Sequence, residues 1–220
     1  MVDEAFDAPA CRQRLLTGAL ELGLDLDVPQ QTLMLDFLSL LAKWNRAYNL
    51  TAVRDPLEMV GRHLLDSLAL LPHLKSGACL DMGTGAGIPG IPLAIMRPAS
   101  DFVLLDSNSK KIRFVRQVKL ELGLTNVLPV HARIEQYQAD RPIKTLIARA
   151  FTDLPTMLAL SAGLRQPGSE LLAMKGSVPH QEMARLPADV RAEVIPLEVP
   201  FEVGERCLVR IEQGVGFHAK

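Results

Sequence analysis

Cysteine is scarce in this sequence, and the few cysteines are far apart. The 220 residues include only Cys11, Cys79 and Cys207, and no two of them form a Cys-x-x-Cys pair. This spacing therefore suggests neither a disulfide framework nor a zinc site. We expect all three side chains to be small apolar fillers of the protein interior.

Long apolar runs and an excess of charge are also lacking. No apolar run reaches the roughly 18 to 20 residues that a membrane-spanning helix needs, and the acidic start at residues 1–4 lacks the basic and apolar parts of a secretory signal. We expect a cytoplasmic protein with no membrane partner. The formal net charge is −1, so contact with nucleic acid would need locally clustered positive charge.

The remaining composition is that of an ordinary globular protein, with 48% hydrophobic and 22% charged residues. From about residue 12 to residue 71, apolar side chains recur at three- and four-residue spacings, which predicts helices. Asp55-Pro56 is typical of a helix N-cap followed by proline at the first helical position. We expect residues 1–73 to form an N-terminal helical extension and residues 74–220 the main domain of one compact unit.

After Ser76-Gly77, short apolar runs alternate with helical stretches. This alternation predicts βαβ units and therefore a parallel sheet covered by helices. The last two predicted strands lie near residues 192–199 and 206–211, and the connection between them is too short for a helical crossover. We therefore expect these two strands to pair antiparallel.

A glycine-rich run from Asp81 to Gly87 follows the first predicted strand. Glycines at positions 83, 85 and 87 let the backbone turn sharply and come close to a ligand, which is typical of a nucleotide-like cofactor site. Read one step later, Gly85 to Gly90 also fits the dinucleotide pattern G-x-G-x-x-G, and Asp106 lies at a suitable distance to bind a ribose in either case. The loop alone leaves S-adenosylmethionine and NAD both open.

Two features favour the methyl donor. Asp81 precedes the first glycine by two residues and can hold the donor's ammonium group, whereas it would repel a pyrophosphate. The antiparallel final strands are the second feature. We predict an α/β, Rossmann-like class I S-adenosylmethionine-dependent methyltransferase fold, with a mostly parallel seven-stranded sheet and an antiparallel last strand. Asp106 is the expected ribose partner, although Asp106-Ser107 can also cap the helix that begins near Ser109.

Several runs of the sequence occur in an order that resembles the RsmG family, once called glucose-inhibited division protein B. They are Trp44-Asn45 with Tyr48 to Thr51, His63 to Ser67, Asp81 to Gly90, Leu105 to Ser107, Arg149 to Phe151 and Met174 to Gly176. The resemblance covers about residues 35 to 176. It implies methyl transfer from S-adenosylmethionine, with S-adenosylhomocysteine as product, to guanine N7 at position 527 in the 530 loop of 16S ribosomal RNA, within the small ribosomal subunit or an assembly intermediate.

The resemblance also implies particular cofactor contacts. Carried over by position, these are Gly83, Ile88, Ile134, Glu135 and Arg149, in addition to Asp81, Gly85, Gly87 and Asp106 from the loop pattern. Ile134 is a mild departure from the family pattern, and we expect backbone groups to hold the adenine there, which tolerates the change.

Guanine N7 carries a lone pair and no proton, so its methylation needs placement and electrostatics rather than a general base. We predict Arg149 and Lys175 as the catalytic residues in this orienting sense, because both follow strands at the edge of the sheet where ligands bind. Phe151 can stack on the base. The alternatives are that Arg149 only pairs with Glu135 or Asp153, that Phe151 is core and that Lys175 is a solvated loop residue.

Two groups of basic residues are candidates for an RNA surface, although a basic helix face is ordinarily just solvated. They are Lys110, Lys111, Arg113, Arg116 and Lys119 on one predicted helix, and Lys43, Arg46, Arg54 and Arg62 in the N-terminal helical extension. His63 and Asp66 lie three residues apart on one predicted helix and can brace the loop after Asp81. No metal site is expected there, since no further ligand stands at a suitable spacing.

Three other functions remain open at this point. A small-molecule methyltransferase is favoured by the low net charge and the helical cap. An RNA-binding or assembly module with a vestigial cofactor site, and an NAD dehydrogenase, are the others. For the leading interpretation we expect a monomer.

Overall fold

The computed structural model describes residues 6–212. The α-helices are α1 (Ala8–Glu21), α2 (Val28–Tyr48), α3 (Pro56–Met59), α4 (Asp66–Leu68), α5 (Gly90–Met96), α6 (Ser109–Glu121), α7 (Leu154–Leu160) and α8 (His180–Met183). The strands are β1 (Ala78–Met82), β2 (Phe102–Asp106), β3 (Val127–His131), β4 (Ile143–Arg149), β5 (Glu170–Lys175), β6 (Arg191–Pro196) and β7 (Cys207–Glu212). A π-helical segment, Val60–Leu65, joins α3 to α4, and short 3-10 turns lie at Leu71–His73, Ile134–Gln136 and Ala162–Leu164.

The seven strands form one sheet in the order β3-β2-β1-β4-β5-β7-β6. β1 to β5 pair parallel, while β7 runs antiparallel to both of its neighbours, β5 and β6. The predicted fold is confirmed, including the antiparallel last strand. The strand order reverses between β1 and β4, and ligands in such sheets bind where the order reverses. The glycine loop after β1 therefore lies beside β4, the strand that carries Arg149.

Alternate residues of each central strand face opposite layers, as the pleat requires. Cys79, Leu104 and Ile147 enter the larger core under α1, α2, α5 and α6, while Leu80 and Leu146 face the layer that contains α7. Nearly every residue of β1, β2, β4 and β5 is buried, which is typical of strands covered by helices on both faces. The three cysteines are free and buried, as predicted.

Helix α2 packs on α6, which in turn packs on the sheet. The rings of Phe37 and Trp44 on α2 lie 6.4 and 5.6 Å from the ring of Phe114 on α6, centroid to centroid. Asp55 caps α3 as predicted, since its carboxylate accepts a hydrogen bond from the amide of Leu57 at 2.9 Å. Asn108 caps α6, so the alternative that placed Asp106-Ser107 in this role was wrong.

The edge strand β3 contains Pro129, which lacks an amide donor and is tolerated there because only β2 pairs with β3. Within residues 6–212, no helix combines the length and the hydropathy that crossing a bilayer requires.

We predict that Gly90→Ala destabilises the protein. A Cβ on Gly90 would collide with the side chain of Leu104 and lie 2.9 Å from Oδ2 of Asp81, and such overpacking costs about 1–3 kcal/mol. Urea denaturation measures the loss. Gly163→Ala is the matched control, because a Cβ there meets nothing within 4 Å; equal stability of the two variants would contradict the packing argument.

Candidate active site

The glycine loop after β1 adopts a conformation that glycine favours. Gly83, Gly85 and Gly87 have φ values of 69°, 61° and 80°, which lie in the left-handed region. The amides of Gly83 and Thr84 both donate to the carbonyl of Leu105, at 2.9 and 3.0 Å. These bonds hold the loop against the end of β2.

The three loop glycines differ in their surroundings. A Cβ on Gly83 would collide with the ring of Phe151, and one on Gly87 would lie 2.6 Å from Ile91. On Gly85 the nearest atoms would be the carbonyl of Gly83 and the ammonium of Lys111, at 3.9 and 4.0 Å. Gly85 therefore borders open space, which leaves room for a ligand against the backbone.

Asp81 lies buried beneath this loop, with 1% of its surface exposed. Its Oδ2 accepts hydrogen bonds from Thr84 Oγ1 at 2.6 Å and from the amide of Gly90 at 3.0 Å. Burial raises the pKa of Asp81 to about 6, although these two bonds act in the opposite direction. Within the described chain, Oδ1 is buried without a hydrogen-bond partner, so it can accept a donor from a ligand.

Asp106 ends β2 directly beside the loop. Its Oδ2 accepts from the amide of Gly85 at 2.9 Å, and its Oδ1 from the amide of Asn108 at 2.8 Å. The ammonium of Lys111 lies 3.8 Å from Oδ2. The structure thus places Asp106 beside the glycine loop, as the spacing predicted, and two backbone amides fix its carboxylate.

The segment after β3 approaches the same edge. The amide of Ala132 donates to the carbonyl of Asp106 at 3.3 Å, and Ile134 then enters the core while Glu135 is exposed. Ile88, at the other end of the loop, is buried. Backbone groups rather than the Ile134 side chain are therefore available to a ligand at this position.

A cavity of about 540 Å³ opens at the carboxyl ends of β4 and β5. Apolar and cationic side chains share its wall. The lining includes Val53, Phe151, Met174 and Leu197 as apolar residues and Arg62, Arg149, Lys175 and Arg206 as cations. Arg149 and Lys175, which the sequence placed at this edge, therefore lie at one cavity.

Arg149 is held by the helical region that precedes the sheet. Its Nη1 donates to Oδ2 of Asp66 and to the carbonyl of Arg62, both at 2.7 Å, and its Nη2 lies 3.4 Å from Nδ1 of His63. The proposed pairing with Glu135 or Asp153 was wrong. The proposed contact of His63 and Asp66 with the loop after Asp81 also differs from these bonds, which run to Arg149.

Phe151 combines the two interpretations that the sequence left open, whereas Lys175 fits only one of them. Phe151 is half-buried and packs on Gly83, yet it also lines the cavity. The ammonium of Lys175 donates to Glu182 at 2.8 Å and to the carbonyl of Thr152 at 3.1 Å, with 15% of the side chain exposed. Lys175 is therefore a fixed group and not a solvated one.

Sequence reasoning missed two residues of the connection before β7. Arg206 lies 3.7 Å from Asp66, and Glu202 lies 3.4 Å from Arg206 and 3.5 Å from Arg62. Together with Asp66 and Glu182, Glu202 balances most of the cationic charge of the cavity. No spacing pattern pairs Arg206 with Asp66 or Glu202 with Arg62, because the partners in each pair lie far apart in the sequence.

Solved structures with the same fold are methyltransferases. The chain is similar to an S-adenosylmethionine-dependent methyltransferase from Aquifex aeolicus, at a TM-score of 0.54 and 17% identity over 74% of this chain and 96% of that one. A precorrin-6y C5,15-methyltransferase from Geobacter metallireducens gives 0.51 and 12%, over 76% and 92%. Such similarity concerns the fold alone.

Sequence relatives are much more similar. The family model described as rRNA small subunit methyltransferase G matches residues 30–209. Proteins named ribosomal RNA small subunit methyltransferase G share 48% identity in Chromohalobacter salexigens, covering 93% of this chain and 99% of that protein, and 50% in Stutzerimonas stutzeri, covering 90% and 93%.

Strand order, glycine loop and adjoining cavity define an S-adenosylmethionine-dependent methyltransferase of class I. The unpaired Oδ1 of Asp81 and the open space at Gly85 fit that cofactor. The chain belongs to the rRNA small subunit methyltransferase G family.

Gly85→Val is expected to abolish binding of S-adenosylmethionine while the protein remains folded, with stability reduced only by the backbone strain at this position. The new side chain would occupy the open space over the loop, and its φ of 61° adds about 1–2 kcal/mol of strain. Calorimetry with the donor and thermal unfolding measure the two effects. Donor affinity equal to that of the parent protein would contradict the assignment of this loop.

Affinity for the donor should fall in acid. Asp81 becomes neutral below its pKa of about 6 and then no longer attracts the donor's ammonium group. Affinity therefore decreases roughly fivefold between pH 6 and pH 5, because the charged fraction of Asp81 falls from about one half to about one tenth. Equilibrium binding from pH 5 to pH 7 tests this, with Asp81→Asn as the control whose weaker affinity stays flat. A flat profile in the parent protein would rule out the contact.

Proposed function

We propose that this protein transfers the methyl group of S-adenosylmethionine to N7 of the guanine at position 527 in the 530 loop of 16S ribosomal RNA. The observation that carries the proposal is the cavity beside the glycine loop, where Arg149, Lys175 and the ring of Phe151 face one space. Membership of the family gives the RNA class, since its relatives are named for the ribosomal RNA of the small subunit.

The chain offers a separate contact for each part of the donor. Oδ1 of Asp81 would hold the ammonium group, Asp106 the ribose, and the backbone at Ile134 and Glu135 the adenine. Gly83, Gly85, Gly87 and Ile88 would form the surface beneath it. When bound, S-adenosylmethionine supplies an electrophilic methyl group on a sulfonium sulfur.

The target base needs orientation rather than deprotonation. N7 of guanine already presents a lone pair, and the cavity accordingly offers fixed donors instead of a free base. Arg149, whose guanidinium is planar, can donate to O6 of the guanine or to the methionine carboxylate of the donor. Lys175 would place positive charge beside a phosphate of the RNA, and Phe151 would offer a surface on which the base can stack.

Positive charge at the cavity and beyond it supports an RNA substrate. Arg62 and Lys175 line the cavity, and the exposed Arg54 directly follows the lining residue Val53. On α6, Lys110, Arg113 and Arg116 are exposed as well. These side chains would contact phosphates, which compensates for the near-zero net charge of the chain.

A small-molecule methyltransferase is the second candidate, and the size of the cavity favours it. About 540 Å³ is sufficient for a metabolite. The wall, however, carries four cations, and their three carboxylate partners leave a small positive excess, which fits an anionic substrate better than a neutral one.

We also infer that residues 1–73 and 74–220 act as one unit, because bonds from Arg62, His63 and Asp66 reach Arg149. Action on a small ribosomal subunit or its assembly intermediate would place the enzyme in the cytoplasm. The monomeric state stays a prediction.

Purified protein should methylate 16S RNA, or the small subunit, from a strain that lacks this modification, and mapping of the labelled nucleotide should identify guanine 527. Labelling of another nucleotide or of metabolites alone would overturn the proposal.

The variant Arg149→Ala should lose at least about tenfold in the rate of methyl transfer, with RNA affinity little changed, because orientation rather than phosphate contact is lost. A uniform drop in RNA affinity with unchanged turnover would reduce Arg149 to a phosphate contact.

A further inference from the structure

A chain of buried polar side chains connects α2 to Arg149. The amide of Thr51 donates to Oδ1 of Asn45 at 2.9 Å, Thr51 Oγ1 lies 2.9 Å from Nε2 of His63, and Nδ1 of His63 lies 3.4 Å from Nη2 of Arg149. Asn45 and His63 are each 3% exposed. Polar groups buried to this degree are costly unless each has a defined partner.

The partners of His63 determine its tautomer. A guanidinium has donors and no acceptor, so Nδ1 of His63 must present its lone pair to Arg149. The hydrogen must then be on Nε2, which donates to Thr51 Oγ1. Burial and the neighbouring Arg149 lower the pKa of His63 to about 4, which agrees with a neutral ring.

The π-helical segment supplies a second acceptor for Arg149. The amide of Asp66 donates to the carbonyl of Gly61, whereas in an α-helix it would donate to that of Arg62. The carbonyl of Arg62 has thus lost this partner, and it accepts Nη1 of Arg149 at 2.7 Å instead. Such π-helical insertions are frequent at functional sites.

We propose that His63 is a positioning residue for methyl transfer: its neutral imidazole, with the carboxylate of Asp66 and the carbonyl of Arg62, fixes the plane of the Arg149 guanidinium at the cavity. This inference rests on the proposed function, and it assigns a role to a side chain that acts only through Arg149. Three acceptors, two on the π-helical segment and one at the start of α4, leave the guanidinium little freedom to rotate.

Two substitutions separate the acceptor from mere filling of space. His63→Asn places a carbonyl oxygen near the position of Nδ1 and can still accept from Arg149, while His63→Gln places its amide near Nε2. We expect His63→Gln to lower the single-turnover rate of methyl transfer roughly 10- to 100-fold, and His63→Asn to keep most of it. RNA affinity should change little in either variant.

The chain contains a matched control at the other end of the sheet. Nδ1 of His73 lies 3.4 Å from Nη2 of Arg210, the same pairing away from the cavity. His73→Gln should leave the rate unchanged, whatever it does to thermal stability. A rate loss in His73→Gln equal to that in His63→Gln would attribute both to general loosening and overturn the proposal.

Further outcomes are decisive. Equal rates for His63→Asn and His63→Gln, with both folded, would show that the acceptor at Nδ1 is irrelevant. In an Arg149→Lys background, His63→Gln should cause no further loss of rate, and a full further loss would contradict action through Arg149.

If His63→Gln does not fold, Thr51→Val removes the acceptor of Nε2 and should slow methyl transfer several-fold. An unchanged rate would overturn the proposal. Absence of transfer by the parent protein would instead refute the proposed function.

Discussion

The ion pair between Asp66 and Arg149 joins the two halves of this molecule. Its partners are 83 residues apart in the chain, and they meet only when the helical region packs at the carboxyl end of β4. Removing one member of a buried pair leaves an uncompensated charge, which costs on the order of 3–5 kcal/mol when burial is complete. Arg149 is one-quarter exposed, so water reduces that cost. The cavity wall, and with it the site, nevertheless depends on this contact.

The cationic side chains that line the cavity are held by carboxylate partners. The cations Arg62, Arg149, Lys175 and Arg206 have carboxylate partners in Asp66, Glu182 and Glu202. Paired cations contribute donors of fixed geometry, which suit recognition of a flat base, while they attract a polyanion only weakly from a distance. Long-range attraction of RNA would then come from separate, exposed residues on α6 and near Arg54. This division explains how a chain of nearly zero net charge can belong to a family of RNA-modifying enzymes.

The fold and the cofactor loop could be predicted from the sequence because their signals are local. A strand followed by Gly83, Gly85 and Gly87, with Asp106 at the end of the next strand, determines both the turn and its partner. The partners of Arg149 and Lys175 could not be predicted in the same way. Asp66 and Glu182 become neighbours of these cations only through strand order and helix packing, and a helical spacing between His63 and Asp66 does not say which distant side chain they face.

The position of β7 in the sheet determines when the sheet can be completed during synthesis. β7 lies between β5 and β6, and the connection before it provides Arg206, which reaches Asp66, and Phe201, whose ring lies 4.2 Å from the guanidinium of Arg14 on α1. β6 therefore has no strand to pair with until β7 has been synthesised. The cavity lacks part of its wall until Leu197, Arg206 and Cys207 have been synthesised, so a nascent chain that stops before them has an incomplete site.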